Sequence, residues 1–258
     1  MKGAESMKAV ITGATSGIGR EMAIYLSKKG WELILTGRNT KELERLKRIL
    51  PTKTEIITLD LAANDAAFEL YKFCKGNDID LLINNAGFGK YGKFSDTELE
   101  DELQMISVNI RSVHILTKLF LRDFRRKNRG RILNVASSAG FLTGPKMSAY
   151  YASKNYVVRL SLAIAEELRK EKSKVTISTL CPGPVDTNFN ERSGASFLIM
   201  GMNSREVAEY AIEKTLEGKW LIIPGTFMKL SIFAARHIPH SILPAIISTV
   251  QKGREMLN

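Results

Sequence analysis

The sequence predicts a single α/β domain: a doubly wound, open parallel sheet of about seven strands with helices on both faces, Rossmann-like in layout. Three observations carry that expectation. Short apolar runs alternate with longer amphipathic ones along nearly the whole chain, as they do when each strand is followed by a crossover helix. A glycine-rich turn, Gly13 to Gly19, separates the first apolar run from the first amphipathic one. The 258 residues suit one large domain, and no repeat, low-complexity tract or linker divides them.

Taken in order, the apolar runs place strands at Met7–Thr12, Glu32–Thr36, Lys53–Thr58, Asp80–Ile83, Gly130–Val135, Val175–Leu180 and Trp220–Ile223. Helices are expected near Ile18–Lys29, Lys41–Leu50, Ala63–Cys74, Thr97–Lys127, Met147–Lys172 and Ser204–Glu217. Asn203 or Ser204 is a suitable N-cap for the last of these. Right-handed crossovers, and ligand binding at the C-terminal ends of the strands, follow from the architecture.

Composition narrows the function classes. Lys and Arg number 38 against 27 Asp and Glu, a formal net charge of +11. Such a surplus suits nucleic acid, an anionic membrane surface or an anionic cofactor and substrate. The one local cluster, Arg122 to Arg131, is interrupted by Asp123 and Asn128 and reads as a solvated helix end. No contiguous basic face is evident, so no nucleic-acid partner is expected. No stretch reaches the roughly 20 apolar residues of a spanning helix. Cys74 and Cys181 suggest neither a disulfide framework nor, with His114, His237 and His240, a metal site; the expected compartment is a reducing cytoplasm. His114 is expected inside a buried helix and Cys181 packed at a strand end. Residues 1–6 read as a short leader.

The glycine turn carries the first chemical signal. Gly13 lets the chain leave the strand tightly, while Gly17 and Gly19 allow close backbone approach. Ser16 and Ile18 complete the turn, and the helix that follows aims a positive dipole end at a pyrophosphate. At the end of the second strand an NAD binder would carry a carboxylate for the adenosine ribose. Here stands Gly37-Arg38, with no acid until Glu42. The Arg38 guanidinium suits a 2′-phosphate, so NADP(H) is expected in preference to NAD(H). Arg20 is near enough in sequence to assist.

The second signal follows the strand that ends at Val135. Ser137 is followed thirteen residues later by Tyr150 and four after that by Lys154. On a helix, positions four apart share a face. A tyrosine ionises near ~10, and a neighbouring ammonium is expected to lower that value, making the pair a general acid–base unit. Ser137 is placed to donate a hydrogen bond to a developing oxyanion. Tyr151 is one residue out of phase, since its fourth neighbour is Asn155, and Ser138 is likewise off the spacing.

These pieces together resemble the short-chain dehydrogenase/reductase family: Thr12 to Gly19, Asp60-Leu61, Asn84-Asn85-Ala86-Gly87, Asn109, Ser137, Tyr150 to Lys154, and Pro182-Gly183 with Thr187, in the family's order, from Lys8 to about Thr187. The resemblance implies an oxidoreductase moving a hydride between a nicotinamide and a carbonyl or alcohol. It implies that Tyr150 gives its proton to the carbonyl oxygen, Ser137 holds that oxygen, Lys154 also bonds the nicotinamide ribose, and Asn109 anchors a water in a proton relay. It further implies that Asp60 with Leu61 contacts the adenine, that Asn85, Ala86 and Gly87 line the adenosine side, and that Pro182, Gly183, Val185 and Thr187 shape the nicotinamide end. The chain departs from the NADP-preferring pattern at Ser16, where many members are basic. Dimers or tetramers are usual in relatives.

On this reading residues 7–224 form the dinucleotide-binding catalytic domain and 225–258 an apolar, basic helical extension. The segment Asn188–Met202 resembles the family's substrate loop, its apolar residues suiting either an acyl-like substrate or core packing. In the extension, Ser231–His237 and Ala245–Gln251 read as short helices broken by Pro239 and Pro244. A subunit contact or a roof over the site is expected before a peripheral membrane contact. The alternative function is a nucleotide-binding sensor or scaffold without turnover.

Overall fold

Val10, Ile34, Leu82 and Ile132 each sit beside another apolar strand residue (Ile11, Leu35, Ile83 and Leu133), and all eight are buried. Successive strand side chains point to opposite faces, so strands of this kind must be covered on both sides. The computed structural model, which describes residues 6–187, 189, 193–197, 201–239 and 241–253, has this arrangement. Its sheet contains β1 (Lys8–Thr12), β2 (Glu32–Gly37), β3 (Thr54–Thr58), β4 (Leu81–Asn84), β5 (Arg131–Val135), β6 (Thr176–Leu180) and β8 (Leu221–Ile222). The order is β3-β2-β1-β4-β5-β6-β8 and every pairing is parallel.

One face packs under α1 (Gly17–Lys28), α2 (Thr40–Ile49) and α7 (Ser204–Leu216). The other packs under α3 (Ala66–Cys74), α5 (Val113–Arg126) and α6 (Ser148–Lys170). Asn203 caps α7, its side chain accepting from the N–H groups of Arg205 and Glu206. The chain runs outward from β1 to β3, then returns to β4 on β1's other side. That reversal opens a crevice at the strands' C-terminal ends.

The departures from expectation are local. The predicted helix Thr97–Lys127 is divided: α4 (Leu99–Ile106) passes through a π-helical turn, Ser107–Ser112, into α5. Asn109 lies in that turn with its side chain bound to both backbone groups of Phe88, and a local widening of this kind re-aims a side chain without ending the helix. A small antiparallel pair, β7 (Ala195–Phe197) with β9 (Gln251–Gly253), was not legible in three-residue segments without alternation.

The extension forms α8 (Thr226–Ala235) and α9 (Leu243–Val250). Pro244 does not break a helix. It is the second residue of α9, where a backbone N–H has no helical partner to lose. His114 is exposed rather than buried, its Nδ1 lying 2.7 Å from the Tyr156 hydroxyl.

Much of the basic cluster is paired with acids: Arg125 with Glu171 at 2.8 Å, Arg126 with Asp123, Lys127 with Asp78 at 2.7 Å, and Arg129 also with Asp78. Apart from Ser6, the expected leader lies outside the described residues. So do His240, Arg254 and, in the segment before α7, Leu198, Ile199 and Met200. No helix among the described residues is long and apolar enough to cross a membrane.

A buried polar network ties the central strands to the helices. Asn84 Nδ2 donates to Asn134 Oδ1 at 2.8 Å and Thr117 Oγ1 at 3.1 Å, and Asn134 Nδ2 donates to Ser161 Oγ at 2.9 Å. Removing one member strands the others without water. Asn134→Ala is expected to lower unfolding free energy by at least about 2 kcal/mol, read by urea denaturation; an unchanged midpoint would contradict the network's role.

Candidate active site

The floor of the crevice is a brace between the two strands that flank the reversal. Thr12 Oγ1, at the end of β1, accepts from the N–H groups of Asn85 (2.9 Å) and Ala86 (3.0 Å). Asn85 Nδ2 returns two bonds, to the carbonyls of Thr12 (3.0 Å) and Gly13 (3.1 Å). Gly13 and Gly17 have φ of 64° and 54°, a region that side chains rarely enter. A methyl group at Gly13 would sit 2.8 Å from Ala86 Cα, one at Gly17 would sit 2.9 Å from Thr187 Cγ2, and one at Gly19 would run into the Asn85 amide. The turn is thus a cradle held open by absent side chains. No side chain caps α1 at Ser16, and its first turn holds no acid, which leaves a positive dipole end facing the crevice. Ile18 packs against the core below.

The neighbouring walls close on this turn. A methyl at Gly37 would sit 2.9 Å from Thr15 Cγ2, so the end of β2 abuts it. Arg38 comes next, exposed, and forms no ion pair with any described residue. Arg20 is paired with Glu21 at 2.8 Å. Beyond β3, Asp60 Oδ1 accepts from the Ala62 N–H at 3.0 Å and Leu61 is buried. After β6, the Pro182 carbonyl accepts from the Ser138 N–H at 2.8 Å, Gly183 lies against Met228, Val185 is buried and bridged to Met202, and Thr187 reaches Gly17. The residues present fit a dinucleotide: a glycine cradle, an acid-free helix start and free guanidinium, all suited to phosphates.

Beside the crevice, α6 brings Tyr150 and Lys154 onto one buried face. Lys154 Nζ donates to the Val135 carbonyl at 3.0 Å and lies 5.9 Å from the Tyr150 ring centre. Ser137 begins a short 3-10 turn, Ser138–Phe141, its Oγ accepting from the Ala139 N–H at 3.1 Å, and its hydroxyl lies near enough to the Tyr150 phenol to favour the ionised form. Asn109 Nδ2 donates to Phe88 O (2.9 Å) and to Ser153 Oγ (3.0 Å), which in turn donates to Tyr150 O (2.7 Å). Gly87 keeps this corner open, since a methyl there would lie 3.1 Å from both Asn109 Oδ1 and Lys154 Nζ. Ser137, Tyr150, Lys154 and Asn109 are therefore together.

The electrostatics correct one expectation. Burial pushes Tyr150 above its ordinary value, and the Ser137 hydroxyl offsets this only in part. In the chain alone, Lys154 does not hold the phenol low, because its ammonium is itself buried and turned to Val135. Burial lowers Lys154 to about 8, against a smaller opposing effect of Cys181. Cys181 itself is buried and pushed up to about 12.

A family model described as short chain dehydrogenase matches residues 7–196. The chain belongs to the short-chain dehydrogenase family. Among curated relatives, mouse "Dehydrogenase/reductase SDR family member 7B" is 35% identical over 192 residues, which cover 70% of this chain and 58% of the mouse protein. The chain thus spans little more than half of that relative. A short-chain dehydrogenase from Sphingobium yanoikuyae, solved in complex with NADPH, superposes with a TM-score of 0.79 at 25% identity, covering 89% of this chain and 93% of its own. One from Burkholderia phymatum, solved in complex with NAD, has a TM-score of 0.82 at 24% identity, covering 92% and 95%; this likeness concerns the fold.

Several positioning residues of this short-chain dehydrogenase escaped sequence reasoning. Thr12 was read as a strand end and as the start of the glycine motif, with no role of its own, yet its hydroxyl organises the floor. Asn155 donates to the carbonyls of Ala139 (3.2 Å), Leu142 (3.1 Å) and Tyr151 (3.0 Å), clamping the turn that begins at Ser137. Met147 and Phe189 lie over Gly89 beside the Tyr150 ring, with ring centres of Phe189 and Tyr150 5.3 Å apart. None of these side chains is distinctive by type; only their placement gives them work. Tyr151, the out-of-phase tyrosine, packs over Gly144.

Two outcomes follow. Gly19→Ala is expected to displace the Asn85 amide and weaken dinucleotide binding at least about tenfold, read by fluorescence titration; unchanged affinity would contradict the cradle. Lys154 has a lower pKa folded than unfolded, so the folded state binds fewer protons between about 8 and 10.5, and stability rises with pH across that window. Lys154→Met is therefore expected to exceed the parent in stability below about pH 8, by up to roughly 3 kcal/mol, the gap closing as pH rises. Urea denaturation of both proteins across the window checks the sign.

Proposed function

We propose that the chain is an NADPH-dependent reductase of carbonyl groups on apolar or acyl-like small molecules, working reversibly on the alcohols. The observation that carries this reading is the convergence of Ser137, Tyr150 and Lys154 on one corner beside the glycine cradle. The reduced nicotinamide, when bound, supplies the hydride. Gly13, Ser16, Gly17, Ile18 and Gly19 would hold its pyrophosphate; Asp60, Leu61, Asn85, Ala86 and Gly87 would line the adenosine side; Pro182, Gly183, Val185 and Thr187 would hold the nicotinamide end.

The chain's own groups do the proton work. Tyr150, raised by burial, is a protonated phenol at neutral pH, the form a proton donor to a reduced carbonyl must have. Ser137 steadies the oxygen that receives it. Lys154, brought by burial to about 8, exchanges a proton near neutrality, would bond the cofactor ribose, and would stabilise the phenolate once Tyr150 has given its proton. Asn109, fixed by Phe88 and Ser153, would anchor the relay that returns the proton. Met147, Phe189 and Ile247, clustered around Tyr150, exclude water and favour an apolar substituent on the carbonyl.

Preference for NADPH is supported by Arg38, exposed and without an ion pair among described residues at the end of β2, while the next acid, Glu42, lies in the first turn of α2 and pairs with Arg45 at 3.5 Å. Self-association is supported by the exposed Leu99, Leu103 and Ile106 along α4. A reducing, cytoplasmic setting is supported by two buried free thiols, Cys74 and Cys181.

The test is a carbonyl panel with the purified protein, following nicotinamide absorbance with NADPH and NADH. Turnover of apolar ketones with NADPH is expected. Arg38→Asp should reduce the NADPH-over-NADH preference in kcat/KM tenfold or more, about 1.4 kcal/mol. Tight NADPH binding with no turnover across the panel would point to a nucleotide sensor instead.

A further inference from the structure

The extension has two faces. On α8, Met228 and Ile232 turn inward, Met228 against Gly183 and Ile232 into the core. On the opposite side Phe227, Leu230 and Phe233 follow one another three residues apart and are 66%, 63% and 63% exposed. That spacing puts them on one stripe of the helix. In α9 and the residue before it, Leu243 is buried and Ile247 packs into the cluster around Tyr150, while Ile242 and Ile246 are exposed. A soluble surface rarely leaves large aromatic and aliphatic side chains bare in such a row.

Charge says what would cover them. Lys229 and Arg236 flank the stripe, both exposed, and Arg236 is held in place over the Phe141 ring at 5.2 Å. Between Glu217 and Glu255 the sequence has no acid at all, against Lys219, Lys229, Arg236, Lys252 and Arg254. The other exposed apolar stripe, Leu99, Leu103 and Ile106 on α4, is the reverse, set among Glu98, Glu100, Asp101 and Glu102. An acid-rich rim repels an anionic surface; an acid-free, cationic rim attracts one.

We infer that the outer face of α8, with Ile242 and Ile246, is a docking surface for an anionic lipid bilayer. The apolar stripe enters the headgroup boundary and the cations meet lipid phosphates, as for other interfacial helices. Because the inner face of the same elements touches Gly183 and the Tyr150 cluster, docking sets the mouth of the site at the lipid boundary. An apolar substrate then enters from the bilayer. The docking itself is independent of turnover and of the reaction assigned above.

The test is co-sedimentation of the full chain with vesicles of phosphatidylcholine alone and of equal parts phosphatidylcholine and phosphatidylglycerol. Binding is expected with the mixed vesicles, weakening as salt is raised, and little with the neutral ones. The double variant Phe227→Ser/Phe233→Ser is expected to lose at least about tenfold in binding, and Lys229→Glu several-fold, with melting temperatures unchanged. No binding to mixed vesicles, or binding that both variants retain, overturns the inference. Loss of self-association in the double variant, measured by sedimentation equilibrium, without vesicle binding by the parent, overturns it in favour of a second copy.

Discussion

The site depends on a few hydrogen bonds at the point where the sheet reverses direction. Thr12, the last residue of β1, receives the backbone N–H groups of Asn85 and Ala86 and thereby sets how far β1 and β4 part beyond their last pairing. Asn85 returns its amide to Thr12 and Gly13. These bonds are possible only because Gly19 has no side chain in the space that amide occupies. The glycines are therefore more than flexible punctuation. They permit three backbones to meet, and the crevice is what remains between them.

A second constraint acts on the reactive corner. Tyr150 and Lys154 are both buried, and burial works against the charged form of each, raising one and lowering the other. Their ordinary values are thus pushed further in the case of the phenol, and toward neutrality in the case of the amine. A neutral phenol that carries its proton, beside an amine that exchanges one near pH 8, is a sensible resting state for reduction. Ser137 partly offsets the rise in the phenol, and Asn155 holds the turn that presents Ser137. The π-helical turn at Asn109 belongs to the same corner, its side chain reaching Phe88 and Ser153.

Much of this was legible in the residues. Alternating apolar runs with β-branched and leucine-rich cores gave the seven strands in order, because a sheet buried on both faces leaves little freedom of composition. The spacing of Ser137, Tyr150 and Lys154 was legible because helix periodicity alone brings the last two together. The π-turn was not, since Ser107 to Ser112 carries no proline or glycine to interrupt the helical pattern. The short β7–β9 pair was hidden in segments too small to show a period. Pro244 misled because proline marks both the interruption and the first turn of a helix, and only the backbone tells them apart. The sense of the Tyr150 shift was missed because spacing reports proximity to an ammonium but not the depth at which both groups lie.

The central claim is that the Tyr150 hydroxyl is the proton donor of a hydride-transfer reaction, and its most direct test removes that one oxygen. Tyr150→Phe keeps the ring against Phe189 and Tyr151 while abolishing the proton. Carbonyl reduction by the variant is expected to fall by about a hundredfold to ten-thousandfold, with NADPH binding by fluorescence titration close to the parent's. Reduction at the parental rate by a correctly folded Tyr150→Phe protein would contradict it.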